Sequence, residues 1–128
     1  MIHLAPMERD VLEKALAGDH PVLSDLRRQL SMCQVSKREM TGCGFFADLH
    51  VAPDTPRAKT AKRHIIISDV TAEVLGLKHG AGFVVYVDDG ILMMLEGFSY
   101  DEPWPDRIES YTLDYMERDR HLGMLDTQ

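Results

Sequence analysis

The sequence predicts an α+β fold in a single domain over residues 1–128. Two N-terminal helices are followed by a strongly bent, mainly antiparallel sheet of five to seven strands. Three observations predict it. Apolar residues recur at helical spacing as far as Leu30, they alternate with period two from Gln34 onward, and Asp89-Gly90 separates two apolar runs as a hairpin turn. With 128 residues the chain is long enough for one core and too short for two well-buried ones.

Met7, Val11, Leu12, Ala15 and Leu16 form the first helical stripe, and Gly18 is placed to end it. Pro21 suits the first turn of the next helix, whose stripe is Val22, Leu23, Leu26, Leu30 and Cys33. Gln34 to Met40 is mostly polar, which fits the edge of a sheet. Phe45, Ala47, Leu49 and Val51 then share one face of a half-buried strand that Pro53 ends. Ile65-Ile66-Ile67 reads as a central strand, with a turn or bulge at Asp69-Val70-Thr71 before a further segment from Ala72 to Leu77. Phe83–Val87 and Ile91–Leu95 flank the Asp89-Gly90 turn, where both residues tolerate positive φ. Ile108 to Tyr115 supplies the last strand, and the polar stretch Glu117–His121 is expected to fray.

Both arms of the Asp89-Gly90 hairpin are apolar on both faces. One face can lie under the helices. The other needs a second sheet layer, a curved barrel interior or a partner subunit. Met93 and Met94 fall on opposite faces of a regular strand, so one of them is expected in the core.

The pattern Gly-x-Gly-Phe occurs twice, as Gly42-Cys43-Gly44-Phe45 and Gly80-Ala81-Gly82-Phe83. Each copy opens a strand and neither precedes a helix, which argues against a phosphate-binding loop. Gly42, Gly44, Gly80, Gly82, Asp89 and Gly90 are therefore read as structural turn residues.

Charge is uneven. The net −7 combines +2 over residues 1–64 (10 basic, 8 acidic) with −9 over residues 65–128 (4 basic, 13 acidic). An acidic second half disfavours nucleic acid as a partner. Arg57, Lys59, Lys62 and Arg63 form a local basic stretch without interleaved aromatics for base stacking. No apolar run approaches a bilayer span and no export signal opens the chain, so a cytoplasmic protein with reduced Cys33 and Cys43 is expected.

Candidate chemistry is sparse. The six histidines and two cysteines lack close metal-ligand spacing, so neither a metal nor another cofactor is expected. Cys43, between glycines, is an accessible thiol that would need His50 or His64 as its base. Glu96 lies in an apolar setting where a carboxylate needs a partner, with Tyr86, His64, Tyr111 and Arg107 as candidates. Trp104, bracketed by Pro103 and Pro105, either covers the end of the sheet or offers a contact surface with Tyr100, Met93 and Met94.

The segments Thr41–Phe46, Gly80–Val84, Leu95-Glu96-Gly97-Phe98 and Glu102-Pro103-Trp104-Pro105 together resemble a group of small uncharacterised bacterial α+β proteins with no established activity. The resemblance spans roughly residues 38–115. Some proteins of this general type resemble toxin-neutralising immunity proteins. Missing catalytic motifs and a two-sided apolar hairpin lead to the expectation of a non-enzymatic protein that binds itself, as a homodimer, or another protein. The alternative is a small-ligand binder or enzyme with a sheet pocket around Glu96.

Overall fold

Helices α1 (Pro6–Ala15) and α2 (Pro21–Leu30) form where the apolar stripes predict them, each with proline in its first turn. The computed structural model describes residues 1–125. The Glu8 carboxylate accepts the Ala5 N–H at 2.7 Å and closes the start of α1. At α2, His20 Nδ1 accepts the Val22 N–H at 3.2 Å.

Six strands follow: β1 (Gln34–Met40), β2 (Gly44–His50), β3 (His64–Val74), β4 (Ala81–Asp88), β5 (Ile91–Ser99) and β6 (Tyr111–Tyr115). They form one open sheet in the order β1-β2-β5-β4-β3-β6, and every pairing is antiparallel. Polar β1 is an edge, as its composition predicts. Asp89 and Gly90 make the β4–β5 turn with φ of 48° and 76°, the two positive values a two-residue hairpin loop needs.

Of the turn or bulge expected at Asp69-Val70-Thr71 the structure has the bulge: the segments around Ile65–Ile67 and Ala72 are one long strand, β3, bent between Ile67 and Val70. Two expectations change. The last strand starts at Tyr111 rather than Ile108. Beyond it the chain is anchored rather than frayed. Arg120 forks onto Asp69 at 2.6 and 2.9 Å and donates to the Ala15 and Ala17 carbonyls, the unpaired acceptors at the end of α1. Leu125 is then buried.

The two glycine motifs meet across β5. Phe45 and Phe83 both pair with Gly97, while Gly44 and Gly82 both pair with Phe98. One face thus carries the row Phe45–Gly97–Phe83 and the other the row Gly44–Phe98–Gly82. The Phe45 ring occupies the space a side chain at Gly97 would need, and a Cβ at Gly82 would lie 2.6 Å from the Phe98 ring. The first glycine of each motif, Gly42 or Gly80, turns at positive φ and delivers the strand into this row.

The core lies on the Phe45–Gly97–Phe83 side. There α1 sits on β3 and β4, α2 sits on β5, and Ala47, Ile65, Ile67, Val85, Leu92 and Leu95 are buried beneath them. Two polar groups join the layers. Gln29, 1% exposed, donates to the carbonyls of Pro56 (3.1 Å) and Gly90 (2.8 Å) and accepts the Leu92 N–H at 3.0 Å. Glu8, 3% exposed, receives a two-pronged contact from Arg38 of β1 at 2.7 Å for each nitrogen.

Replacing Gly97 with alanine is expected to destabilise the protein by about 1–3 kcal/mol, because the Phe45 ring must move aside for one methyl group in a filled row. Denaturant melts of Gly97→Ala test this. A loss below about 0.5 kcal/mol would remove the row as a packing constraint.

Candidate functional site

The helices cover one side of the sheet, and among the described residues no second layer covers the other. That uncovered face can be read off the register. One row runs Ile66–Tyr86–Met94–Asp48–Lys37, and the next runs Val84–Glu96–Phe46–Glu39. Phe98 and Tyr100 extend it, with ring centroids 5.5 Å apart in an edge-on arrangement. Phe46, Val84, Tyr86, Met94 and Phe98 are half-buried by their neighbours alone, and Ile66 is 49% exposed.

The expectation that Met93 or Met94 enters the core is overturned. Leu92 pairs with Val87 and Met94 pairs with Tyr86, so Met93 is the extra residue of a bulge. Leu92 and Leu95 both reach the core across that insertion, while Met94 joins the uncovered face and Met93 stays 43% exposed. The two methionines, Ile66, Tyr86, Asp48 and His64 line an open hollow of about 700 Å³.

Tyr86 donates its hydroxyl to Glu96 Oε1 at 2.8 Å. That bond, then partial burial, raises the tyrosine above its ordinary value, so its hydroxyl remains a donor at neutral pH. The lining of the hollow includes Tyr86 but not Glu96. His64 approaches Asp88 instead, Nδ1 to Oδ1 at 2.9 Å, and Arg63 reaches the same oxygen at 3.2 Å. The set Glu96, Tyr86 and His64 thus divides into the Tyr86–Glu96 pair and His64, which pairs with Asp88 instead.

Cys43 lies in the exposed turn before β2. His50 is seven residues further on, at the end of that strand and roughly 23 Å away, and His64 is at the same far end of the sheet. Neither histidine reaches the thiol. Cys33 is buried, and burial pushes its thiol up to about 11 despite the opposing charge of Arg9.

Trp104 packs on the helix side. Its ring meets Phe45 edge-on at 5.6 Å, and its backbone N–H donates to the Gly42 carbonyl at 2.7 Å. It is therefore separated from Met94, Tyr86 and Tyr100 by the sheet. The adjoining loop is held by Glu102, which accepts the Lys78 and His79 N–H groups at 2.7 and 2.8 Å. Those backbone donors, His79 first, hold its carboxyl below the usual range.

In the basic stretch, Arg57 pairs with Asp89 at 3.0 Å and Arg63 with Asp88, so two of the four cations fold back onto the hairpin turn. Among the described residues no three His, Cys, Asp or Glu side chains are grouped to hold a metal, and no helix is long and apolar enough to cross a membrane.

Compared with models of known protein families, with curated proteins and with solved structures, the chain matches none.

The thiols should report this geometry. At pH 8 a disulfide reagent is expected to modify Cys43 quickly and Cys33 only after unfolding. Equal rates for both in the native protein would contradict the burial of Cys33.

Proposed function

We propose that this chain is a non-enzymatic, self-associating protein whose contact surface is the uncovered face of its sheet. The observation that carries the reading is the contiguous apolar block of Ile66, Val84, Tyr86, Met94, Phe46 and Phe98 on the side that the helices leave bare. A hairpin apolar on both sides needs a second layer, a closed barrel or a partner. The sheet is open and carries no second layer among the described residues, which favours the partner.

A second copy fits this face on two counts. Its rim mixes signs, Lys37 against Asp48 and Glu39, so it can oppose itself with unlike charges facing. Its size also suits a weak dimer. Six strands of about seven residues cover roughly 670 Å² in plan before side-chain relief is counted, against the ~800 Å² per partner of a standard interface. Two such faces would stack as a sandwich about 10 Å apart.

Sedimentation equilibrium tests the reading. Assembly above the monomer mass is expected at micromolar to millimolar concentration. Met94→Asp is expected to weaken it at least about tenfold, or about 1.4 kcal/mol, with the far-ultraviolet spectrum unchanged. Added salt should strengthen it, because copies of net charge −7 repel while the contact itself is apolar. A monomer at ~1 mM, or a Met94→Asp protein that assembles like the parent, would overturn the proposal.

A further inference from the structure

The two sides of the sheet end differently. β1 carries the charged residues Lys37, Arg38 and Glu39, and Ile2 covers part of its edge by exchanging hydrogen bonds with Val35 at 2.9 and 2.8 Å. On the opposite side β6 pairs with β3 only from Val70 to Val74. The outer edge of β3 from His64 to Ser68 therefore has no neighbouring strand among the described residues.

The direction of the free backbone groups follows from the ladder. Asp89 donates its N–H to the Arg63 carbonyl at 2.7 Å, and antiparallel bonding repeats every second residue. Residues 63, 65 and 67 thus turn their amide and carbonyl groups toward β4. His64, Ile66 and Ser68 turn theirs outward. Past the bulge the alternation shifts by one: Met116 donates to the Asp69 carbonyl at 2.8 Å, and Leu75 donates to Ser110 at 3.0 Å.

This edge lacks the usual protection. His64-Ile65-Ile66-Ile67-Ser68 has no lysine, proline or glycine, its centre is three β-branched residues, and Ile66 stands 49% exposed.

We infer that His64–Ser68 is a strand-pairing site for the same segment of a second copy, antiparallel about Ile66. The ends of the free edge fix the register. Asp69, whose carbonyl is taken by Met116, closes one end, and the chain leaves the sheet before His64 at the other. Only one alignment uses all five residues. It sets Ile66 opposite its own copy and His64 opposite Ser68, with no like charges facing. The same five residues supply both sides, which is the self-complementarity a two-fold contact requires and an unrelated peptide would have to imitate.

The inference rests on the reading that the chain self-associates, but it uses the backbone edge of β3 rather than the bare face, with Ile66 the residue that belongs to both. Edge pairing joins two six-stranded sheets side by side, whereas the bare face stacks sheets.

Cysteine cross-linking separates them. In a Cys43→Ser background, Ile66→Cys places two thiols on directly opposed strand residues. Their Cα atoms are then about 5.5 Å apart, within disulfide reach, whereas stacked faces hold theirs about 10 Å apart. With oxidised glutathione, Ile66→Cys is expected to give a covalent dimer, and to do so equally when Met94→Asp has removed the face contact. A mixture of His64→Cys and Ser68→Cys proteins should form the mixed dimer faster than either alone. If Ile66→Cys cross-links no faster than Met40→Cys, the edge pairing is wrong. Assembly by mass that persists without the cross-link would leave the bare-face reading standing alone, and loss of both would overturn both.

Discussion

Everything in the sheet depends on one row in which glycine and phenylalanine alternate across three strands. Phe45, Gly97 and Phe83 line up toward the helices, and Gly44, Phe98 and Gly82 line up behind them. The Phe45 ring fills the space beside Gly97 and the Phe98 ring the space beside Gly82, while at Gly44 the Gly97 backbone carbonyl comes in where a side chain would stand. Slipping any of the three strands by one residue would place a ring against a ring or a side chain against a backbone carbonyl, and would exchange the two faces along the whole strand. The row therefore fixes the register of β2, β5 and β4. It also seats the residues that finish this end of the sheet: Trp104 against Phe45 on one side, Tyr100 against Phe98 on the other.

With the faces fixed, the helices decide which one is covered. Each has ten residues, about 15 Å of helix, and the pair spans only the Phe45 side. Their attachment is polar as well as apolar. Gln29 ties α2 to the β4–β5 hairpin, Glu8 ties α1 to β1, and Arg120 ties the end of α1 to the bulge of β3. Losing one partner of such a buried contact strands the other, which makes the arrangement hard to invert. The opposite face is left with an apolar centre, and its Tyr86–Glu96 hydrogen bond holds the one carboxylate within that centre.

Local signals carried most of the architecture. Stripe spacing located both helices, Gly18 and Pro21 marked their junction, the polar run from Gln34 marked an edge strand, and Asp89-Gly90 marked the hairpin. What stayed hidden depends on residues far apart in the chain. Gln29 sits three positions after Leu26 in an apolar stripe, a faint sign of burial, but its partners lie 27 to 63 residues away. Arg120 looked like part of a frayed tail because its acceptors belong to α1 and β3. The β5 bulge was invisible for another reason. Ile91-Leu92-Met93-Met94-Leu95 is apolar at every position, so no alternation marks the inserted residue, and Met93 and Met94 were divided between faces when neither enters the core. The candidate site was legible as a surplus of apolar residues on the hairpin. Its separation from Trp104 was not, since that needed the path of the loop over Phe45.

The central claim, that the bare face is the surface a second copy covers, can be watched through methionine methyl groups. A soluble paramagnetic probe relaxes methyls in proportion to their access to solvent, and signals assigned by single substitution can be followed as the protein is concentrated. Met94 should be relaxed strongly in dilute protein and lose that relaxation as the mass rises, while the exposed Met32 and Met40, away from the face, keep theirs. A Met94 methyl equally relaxed at every concentration, or already shielded in the dilute monomer, would contradict the account.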